Sequence, residues 1–332
     1  MKSITCIIIT LFIIQAQQIN GFSKKNQSDQ RDLESDFKEL PKPEQFREHL
    51  RTITREPHVA GDEGSKKVVS YLTQSMIKAG LKVEEFDYDI YLPNKPTFNS
   101  VEIVTPKRMP LNNKEDIRDR FSGSPQMSHG WNAYSGNGDV TAEVVYANFG
   151  RKEDFEELAK MGVSVKGKIA IARYGGNFRG YKAKYAQEAG AAGLIIYTDP
   201  ENGGYASGLG YPEGPYASES TIQRGSLLTL PYVGDPLTPF EPALPVDGPK
   251  KVKRLKPDEI YHHTIPVTPL PYGSAKYILE QMTGQVVPHS WQGGLPFTYR
   301  IEGGKELTVR LKVEQEIKLT RVTDVVGTIV GS

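Results

Sequence analysis

The spacing of apolar residues predicts two helices and a strand near the start of the chain. Residues 46–53 place three apolar side chains at helical intervals before Pro57, so a helix is expected to end near that proline. A second helix is predicted over residues 62–80. Its apolar stripe comprises Val68, Val69, Leu72, Met76 and Ala79. Residues 83–92 alternate between apolar and polar, which is typical of a strand with one solvent-facing side. Two helices followed by a strand open an α/β unit.

After this unit the chain changes to short apolar segments between turn-rich ones. A helix is predicted over residues 182–191, and residues 168–199 therefore have the pattern of a βαβ crossover. The segment 202–249 is rich in Gly, Pro and Tyr and has little periodicity, which predicts an ordered loop. Short strands are predicted at 143–147, 168–172 and 194–197.

The last third of the chain returns to regular patterns. A helix is predicted at 274–282, and alternation from Leu307 to Val313 predicts a strand. Residues 325–330 form a continuous apolar run, which predicts a strand buried on both faces. The middle of the chain is therefore interpreted as an insertion, and the outer pieces as one interrupted domain.

The first residues differ from the rest in composition. An apolar run between Ile4 and Ile14 follows Lys2 and is too short to cross a bilayer. Residues 1–21 are expected to be a signal peptide, with Ala16 or Gly21 as the cleavage residue, or a short uncleaved anchor. Both alternatives place the rest outside the cytosol. The polar residues 22–42 are expected to be a linker.

Composition narrows the class of protein. With 332 residues, 38% hydrophobic and 24% charged, the chain is expected to be globular with about two domains. The net charge of +1 gives no electrostatic case for nucleic acid. Cys6 is the only cysteine, so a cleaved chain would have no disulfide. Asn26 lies in a glycosylation sequon, Asn-Gln-Ser.

Catalytic motifs are absent from the sequence. It contains no GxxxxGK[ST], GxSxG, HExxH or CxxC motif. The six histidines do not converge at ligand spacing, so surface or helix-capping positions are expected for them rather than a zinc site. They are His49, His58, His129, His262, His263 and His289. No catalytic residue can be nominated from spacing.

An ordered series of segments resembles one family across nearly the whole chain. That family contains glutamate carboxypeptidase II, its intestinal dipeptidase-like relative and the transferrin receptor, and the resemblance is greatest to the dipeptidase-like branch. The segments are EPHVAG (56–61), KIAIARYGGNFRG (168–180), AQEAGAAGLIIYTDP (186–200), QRGS (223–226), GDPLTP (234–239), WQGGLPFTYRI (291–301) and DVVGTIVGS (324–332).

The resemblance implies an α/β fold in which the start of a zinc-peptidase domain is interrupted by a strand-rich protease-associated domain. It implies the first peptidase segment at 43–92, the inserted apical domain at 93–321 and the return strand at 322–332. Members that are enzymes use two zinc ions to activate water. Their ligands and general base are expected beyond the return strand, so this chain is expected to be a fragment that is inactive alone.

Substrate-binding residues can be carried over from the resemblance. Arg179 matches an arginine on the C-terminal carboxylate side of the substrate, a role that suits its planar guanidinium. The alternative is an arginine that pairs with nearby carbonyls or acids. Ser226 stands where the glutamate-preferring enzyme has asparagine, which weakens any expectation of glutamate specificity and is shared with the dipeptidase-like branch.

A calcium site and two functions are also implied. Thr238 matches a residue whose backbone carbonyl binds a structural calcium ion, and Glu241 is a second carbonyl candidate in the same segment. The first function is part of an extracellular zinc exopeptidase of small peptides, expected to be a homodimer when complete. The second is a non-catalytic ectodomain like the transferrin receptor. A His-x-Asp motif in the coding sequence after Ser332 would distinguish them.

Overall fold

The computed structural model describes residues 21–23, 25–116 and 127–331. The predicted signal peptide lies outside them except for Gly21. Contacts divide the chain into two units, with the boundary between Thr52 and Ile53. None of the helices in the described ranges is long and apolar enough to cross a membrane.

The first unit is helical, and its polar start differs from the prediction. The expected linker 22–42 contains helix α1, Gln27–Glu39, none of whose side chains is buried. Its Glu, Gln, Lys and Arg residues favour helix, and the Gln30 amide donates to the Glu34 carboxylate at 3.1 Å, one turn away. Helix α2, Pro43–Ile53, confirms the helix predicted before Pro57.

Five α-helices lie in the described part of the second unit. The first begins where Asp62 accepts a hydrogen bond from the backbone N–H of Ser65 at 2.7 Å, as an N-cap does. The helices predicted after Asp62, before Ala191 and after Ser274 are confirmed. The five are α3 (Glu63–Lys78), α4 (Lys152–Lys160), α5 (Arg179–Glu188), α6 (Pro200–Gly203) and α7 (Tyr272–Leu279).

The strands form one mixed sheet and two short pairs. The seven-stranded sheet has the order β10-β6-β5-β4-β11-β1-β2, and β3 with β7 and β8 with β9 form the pairs. The strands are β1 (Lys82–Thr105), β2 (Met109–Pro110), β3 (Asn132–Ala133), β4 (Gly138–Tyr146), β5 (Ile169–Arg173), β6 (Gly193–Tyr197), β7 (Gly225–Ser226), β8 (Gly234–Asp235), β9 (Thr238–Pro239), β10 (Val267–Leu270) and β11 (Thr308–Thr328).

The core lies where the sheet is parallel. Strands β4, β5, β6 and β10 pair in parallel, and every residue of β5, β6 and β10 is buried. Helix α5 connects β5 to β6, which confirms the predicted βαβ crossover. Segment 202–249 contains only two-residue strands and the end of α6, as its weak periodicity predicted. The chain is a mixed α/β protein.

A long antiparallel ribbon runs through the sheet. Strands β1 and β11 pair from Lys82 opposite Thr328 to Thr105 opposite Thr308. The prediction that residues 325–330 are buried on both faces is wrong, because Val326, Ile329 and Val330 are exposed. Beyond Val313, β11 has only β1 as a described partner, so the sheet does not enclose this end.

The predicted boundaries of the inserted domain fall inside this ribbon. Leu92 lies opposite Lys318, and Asp89 lies opposite Arg321. The two boundaries, at 92/93 and 321/322, are therefore near neighbours across β1 and β11. The division into a peptidase segment and an insertion stays a prediction.

Candidate functional site

The candidate site begins at the carboxyl end of β5. Tyr174 to Phe178 connect that strand to α5, and Arg179 is the first residue of the helix. Gly175 and Gly176 both have positive φ angles, 97° and 75°, a conformation that favours glycine. Carboxyl ends of parallel strands and helix N-termini are common ligand positions, the latter favouring anions.

Arg179 lies at this point with its guanidinium half-buried. The Cζ atom is 5.7 Å from the centroid of the Tyr174 ring and 5.5 Å from that of Phe178. Its Nε is buried without a hydrogen-bond partner. Within the ranges that the structure describes, no carboxylate forms an ion pair with it. The guanidinium is thus held by aromatic rings rather than by an acid.

Arg179 packs against Gly225, the residue before Ser226, because Gly225 has no side chain. A Cβ atom at Gly225, whose φ is +155°, would overlap Nη1 of Arg179. The guanidinium therefore packs directly against the β7 backbone. Ser226 Oγ accepts a hydrogen bond from the backbone N–H of Leu228 at 3.0 Å, so its own hydroxyl proton is available for another acceptor. Arg179 thus lies against the residue that precedes Ser226 in the chain, and the substrate role of both residues stays a prediction.

Arg224, the residue before Gly225, is an arginine whose charge is paired within the structure. Its two terminal nitrogens donate to the carboxylate of Glu115 at 2.5 and 2.9 Å, and one also donates to the carbonyl of Ser128 at 2.7 Å. The guanidinium of Arg224 is committed to these contacts. Arg179 has no comparable acid among the described residues, so its charge is not paired with an internal carboxylate there.

Two further residues of the site were not predicted from the sequence. Asn132, fully buried, donates from Nδ2 to the Gly225 carbonyl at 3.3 Å and to the Tyr174 hydroxyl at 3.4 Å. Tyr174 donates to the carbonyl of Gln223 at 2.7 Å. Burial raises the pKa of Tyr174, although the hydrogen bond from Asn132 and the charge of Arg179 oppose this shift. These hydrogen bonds hold Tyr174 and the β7 backbone, the two groups against which the Arg179 guanidinium packs.

Asn132 and Gly225 are 93 residues apart in the chain, which is why sequence reasoning missed the contact. They meet because β3 and β7 pair in parallel, Asn132 opposite Gly225. Both strands have only two residues, so neither has a periodicity that could be recognised. The one available signal was the aromatic-rich segment from Trp131 to Tyr134.

Lys182 is the third residue that the prediction missed. It is fully buried, one turn of α5 after Arg179. Its Nζ donates to the carbonyls of Phe149 and Gly175 and to Oδ1 of Asn177. Burial lowers the pKa of Lys182 to about 7. A lysine in a helical pattern is ordinarily taken as a solvent-facing residue, so no signal in the sequence separates it from Lys184.

The histidines do not form a metal site in the described part of the chain. No group of three or more His, Cys, Asp or Glu side chains there is arranged to hold a metal ion, so these residues do not fit a zinc centre. The expectation of a surface or capping position is wrong for His263, which is buried and whose Nε2 is 3.0 Å from the Leu227 carbonyl. Burial lowers its pKa, which favours the neutral ring.

The predicted calcium residues lie in one turn. Thr238 is fully buried, and its carbonyl accepts a hydrogen bond from the backbone N–H of Glu241 at 3.2 Å. Thr238 Oγ1 is buried without a partner in the described residues. Phe240, between them, has a positive φ of 64°. A turn that supplies several oxygens fits the ligand preference of calcium, and the site stays a prediction.

Comparison with known proteins adds an independent line of evidence. The PA domain model matches residues 140–229, which include most of β4 and all of β5, β6 and α5 with Arg179. The glutamate carboxypeptidase 2 homolog of Caenorhabditis briggsae is 37% identical over 308 residues, 88% of this chain and 39% of the relative. Aminopeptidase NAALADL1 of Mus musculus is 32% identical and covers 86% of this chain and 40% of its own length.

The solved structures give a looser match. An aminopeptidase from Aneurinibacillus sp. strain AM-1 aligns with a TM-score of 0.42 and 17% identity, over 84% of this chain and 46% of its own. A zinc aminopeptidase from Bacillus subtilis aligns with a TM-score of 0.40 and 17% identity, over 84% of this chain and 44% of its own.

These relatives include one named as a glutamate carboxypeptidase and one named as an aminopeptidase. The predicted preference for the dipeptidase-like branch therefore stays a prediction. The chain spans about two fifths of the length of these curated relatives. The homologues of this chain are thus glutamate carboxypeptidase-like and aminopeptidase proteins, similar to it over most of its own length, and the chain carries a PA domain at residues 140–229.

Proposed function

We propose that this chain supplies the substrate-recognising part of an extracellular exopeptidase of small peptides. Its homology to proteins named as carboxypeptidases and aminopeptidases supports a peptidase role. The observation that carries the proposal is Arg179, a half-buried arginine with no described acid partner at the start of α5. A single planar cation beside a polar strand suits the C-terminal carboxylate of a peptide.

In the proposed complex the guanidinium of Arg179 binds both carboxylate oxygens. The aromatic rings of Tyr174 and Phe178, which contact the guanidinium, restrict its rotation. Less conformational entropy is therefore lost when the anion binds. The Ser226 hydroxyl donates to the same carboxylate or to a neighbouring polar group of the peptide. The partial positive charge at the N-terminus of α5 adds to the attraction. A hydroxyl offers one donor where an amide offers two, so selectivity for glutamate is not expected.

Zinc, calcium and dimerisation belong to the proposal for the complete protein. Zinc would supply a Lewis acid and an activated water, but the described residues contain no group that fits it. Thr238 and Glu241 would hold calcium through backbone carbonyls. Secretion, with glycosylation of Asn26, follows from the predicted signal peptide. Asn26 is exposed just before α1, which makes its side chain accessible.

Replacement of Arg179 tests the proposal in a protein that carries this chain together with the remaining length of its relatives. Arg179→Ala is expected to lower kcat/KM for free-acid dipeptides by roughly 100-fold, since a charge-assisted bidentate pair contributes about 2–3 kcal/mol. Arg179→Lys should recover only part of the loss, because an ammonium cannot bind in a forked geometry.

The matched control is Arg108→Ala, which removes a largely exposed arginine paired with Glu102. It is expected to leave kcat/KM unchanged. Equal kinetics for wild type and Arg179→Ala on free-acid dipeptides would contradict the assignment.

A further inference from the structure

The ammonium of Lys182 occupies an unusual place for a lysine. The side chain is fully buried, and Lys182 is three residues after Arg179 on α5. Residues at this spacing lie on neighbouring turns of one helix face. A buried cation is costly unless its donors are satisfied, so its contacts need an explanation.

Three oxygen atoms surround the Lys182 Nζ. The Phe149 carbonyl comes from the loop after β4, and the Gly175 carbonyl, at 2.7 Å, comes from the loop before α5. Asn177 supplies the third, its Oδ1 at 2.7 Å. An ammonium has three N–H donors, which this set of three acceptors matches. One side chain therefore joins two loops to the helix that Arg179 begins.

The loop before α5 depends on this anchor for its shape. Gly175 and Gly176 adopt positive φ angles, and glycine loses more conformational freedom on folding than other residues. The Asn177 backbone N–H donates to the Gly175 carbonyl at 2.9 Å, and its Nδ2 lies 3.4 Å from the Gly150 carbonyl. Lys182 thus fixes the one loop that leads into Phe178 and Arg179.

We propose that Lys182 is a positioning residue for substrate carboxylate recognition, because its ammonium holds the 174–178 loop and so aims the guanidinium of Arg179. The inference rests on the proposed function and names the residue that sets the geometry of its site. Lys182 itself does not touch the substrate. Loss of the anchor lets the loop sample other conformations, and small displacements of a binding group reduce affinity strongly.

Binding of a free-acid peptide and of its amide to the 332-residue chain tests this proposal. The probes are acetyl-alanyl-alanine and its C-terminal amide, titrated by calorimetry at about pH 6, where Lys182 is protonated. Wild type should prefer the acid. Lys182→Met, close in length and without the charge, should lose that preference by about tenfold, while binding of the amide stays the same.

Lys184→Met is the matched control, because Lys184 lies on the same helix and pairs only loosely with Glu188, at 3.9 Å. It should keep the wild-type preference. Asn177→Ala removes one of the three acceptors and should give an intermediate loss, which keeps the test informative if Lys182→Met does not fold.

Hydrogen exchange provides a readout without ligand. Amides of residues 174–179 should exchange faster in Lys182→Met than in wild type, and amides of β6 should be unchanged. A variant with wild-type acid preference or unchanged exchange of this loop would overturn the positioning role. If wild type itself fails to prefer the acid, the proposed function fails, and only the exchange result then bears on Lys182.

Discussion

At the scale of single residues, the cations near the candidate site differ in how their charges are paired. Arg173 is 1% exposed at the end of β5, and its guanidinium donates to Glu201 at 2.5 Å and to Asn148 at 2.7 Å. Its Cζ lies 4.2 Å from the Phe149 ring centroid. The Lys182 Nζ lies 5.9 Å from the same centroid, so both cations contact the Phe149 ring and both also have hydrogen-bond acceptors. Arg179, in contrast, has no acid partner among the described residues.

Lys182 is expected to give the chain a pH-dependent stability. Burial lowers its pKa to about 7, the charge of Asp154 opposes this shift, and the charges of Arg151, Arg173 and Arg179 add to it. An unfolded lysine titrates near pH 10.4. Between these values the unfolded chain binds more protons than the folded one, so this residue makes the free energy of unfolding rise with pH.

The measurement is the Tm of wild type minus that of Lys182→Met from about pH 7 to about pH 9.5, a window set by the folded and unfolded lysine pKa values. The difference should move in favour of wild type as pH rises. Lys184→Met should show no such trend. A difference that stays constant over the window would mean that Lys182 does not titrate there.

The sequence resemblance nominated Arg179 and Ser226 as substrate residues but could not show how Arg179 packs against β7. That packing depends on the absence of a side chain at Gly225, and β7 is held in place by its pairing with β3. The predicted strand at 168–172 stopped before Arg173 because a charged residue reads as solvent-facing. Acceptors from Asn148 and Glu201, distant in the sequence, allow its burial.

At the scale of elements, the β1–β11 ribbon is the longest feature of the fold. Both strands were predicted, but only in part, because Pro93 and Pro96 in β1 interrupt the alternating pattern. The pairing shifts register at these two residues and continues to Thr105. Burial of residues 325–330 was predicted wrongly because an apolar run identifies a strand and not its neighbours. Those neighbours are set by the whole sheet.

An ion pair with a buried carboxylate links the two strands of this ribbon. Asp89 is 5% exposed and lies opposite Arg321, which is partly exposed and whose guanidinium donates to Asp89 at 2.5 and 2.9 Å. The backbone N–H of Val246 donates to the same carboxylate at 2.8 Å. The hydrogen bonds from Arg321 hold the pKa of Asp89 below its ordinary value, against the opposite effect of burial.

Asp89→Asn is expected to lower the free energy of unfolding by about 2 kcal/mol, because the variant weakens the charge-assisted hydrogen bonds of a buried carboxylate. Urea denaturation near neutral pH measures the change. Asp139→Asn is the matched control: Asp139 pairs with Arg310 on the same strand at 2.7 Å, but both side chains are about 40% exposed. The loss for Asp139→Asn should be clearly smaller, because exposed ion pairs contribute little to stability.

The Asp89 effect should also depend on pH in a stated direction. A carboxyl whose folded pKa is lowered stabilises the protein above its unfolded pKa, and that contribution is lost as pH falls through the folded pKa. The difference between wild type and Asp89→Asn should therefore shrink in acid. If Asp89→Asn and Asp139→Asn lowered the free energy of unfolding equally near neutral pH, burial of the Asp89 carboxylate would not matter for stability.

At the scale of the whole molecule, the described chain is a mixed α/β protein, and substrate recognition is the function we propose for it. It spans about two fifths of the length of its curated relatives, and the PA domain match falls on the parallel part of the sheet. The family resemblance supplied the identity of the fold, whereas periodicity alone gave only α/β elements. The described residues contain no cluster of His, Cys, Asp or Glu that could hold a metal ion. The proposal of carboxylate recognition rests instead on the half-buried Arg179 and its aromatic contacts.

The most direct test of this account is the affinity of the purified chain for acetyl-alanyl-alanine compared with its C-terminal amide, in wild type, Arg179→Ala and Arg108→Ala. The account predicts that wild type and Arg108→Ala bind the acid at least about tenfold more tightly than the amide, as a charge-assisted pair should give. Arg179→Ala should bind both equally. Equal binding of acid and amide by wild type, or an unchanged preference in Arg179→Ala, would contradict it.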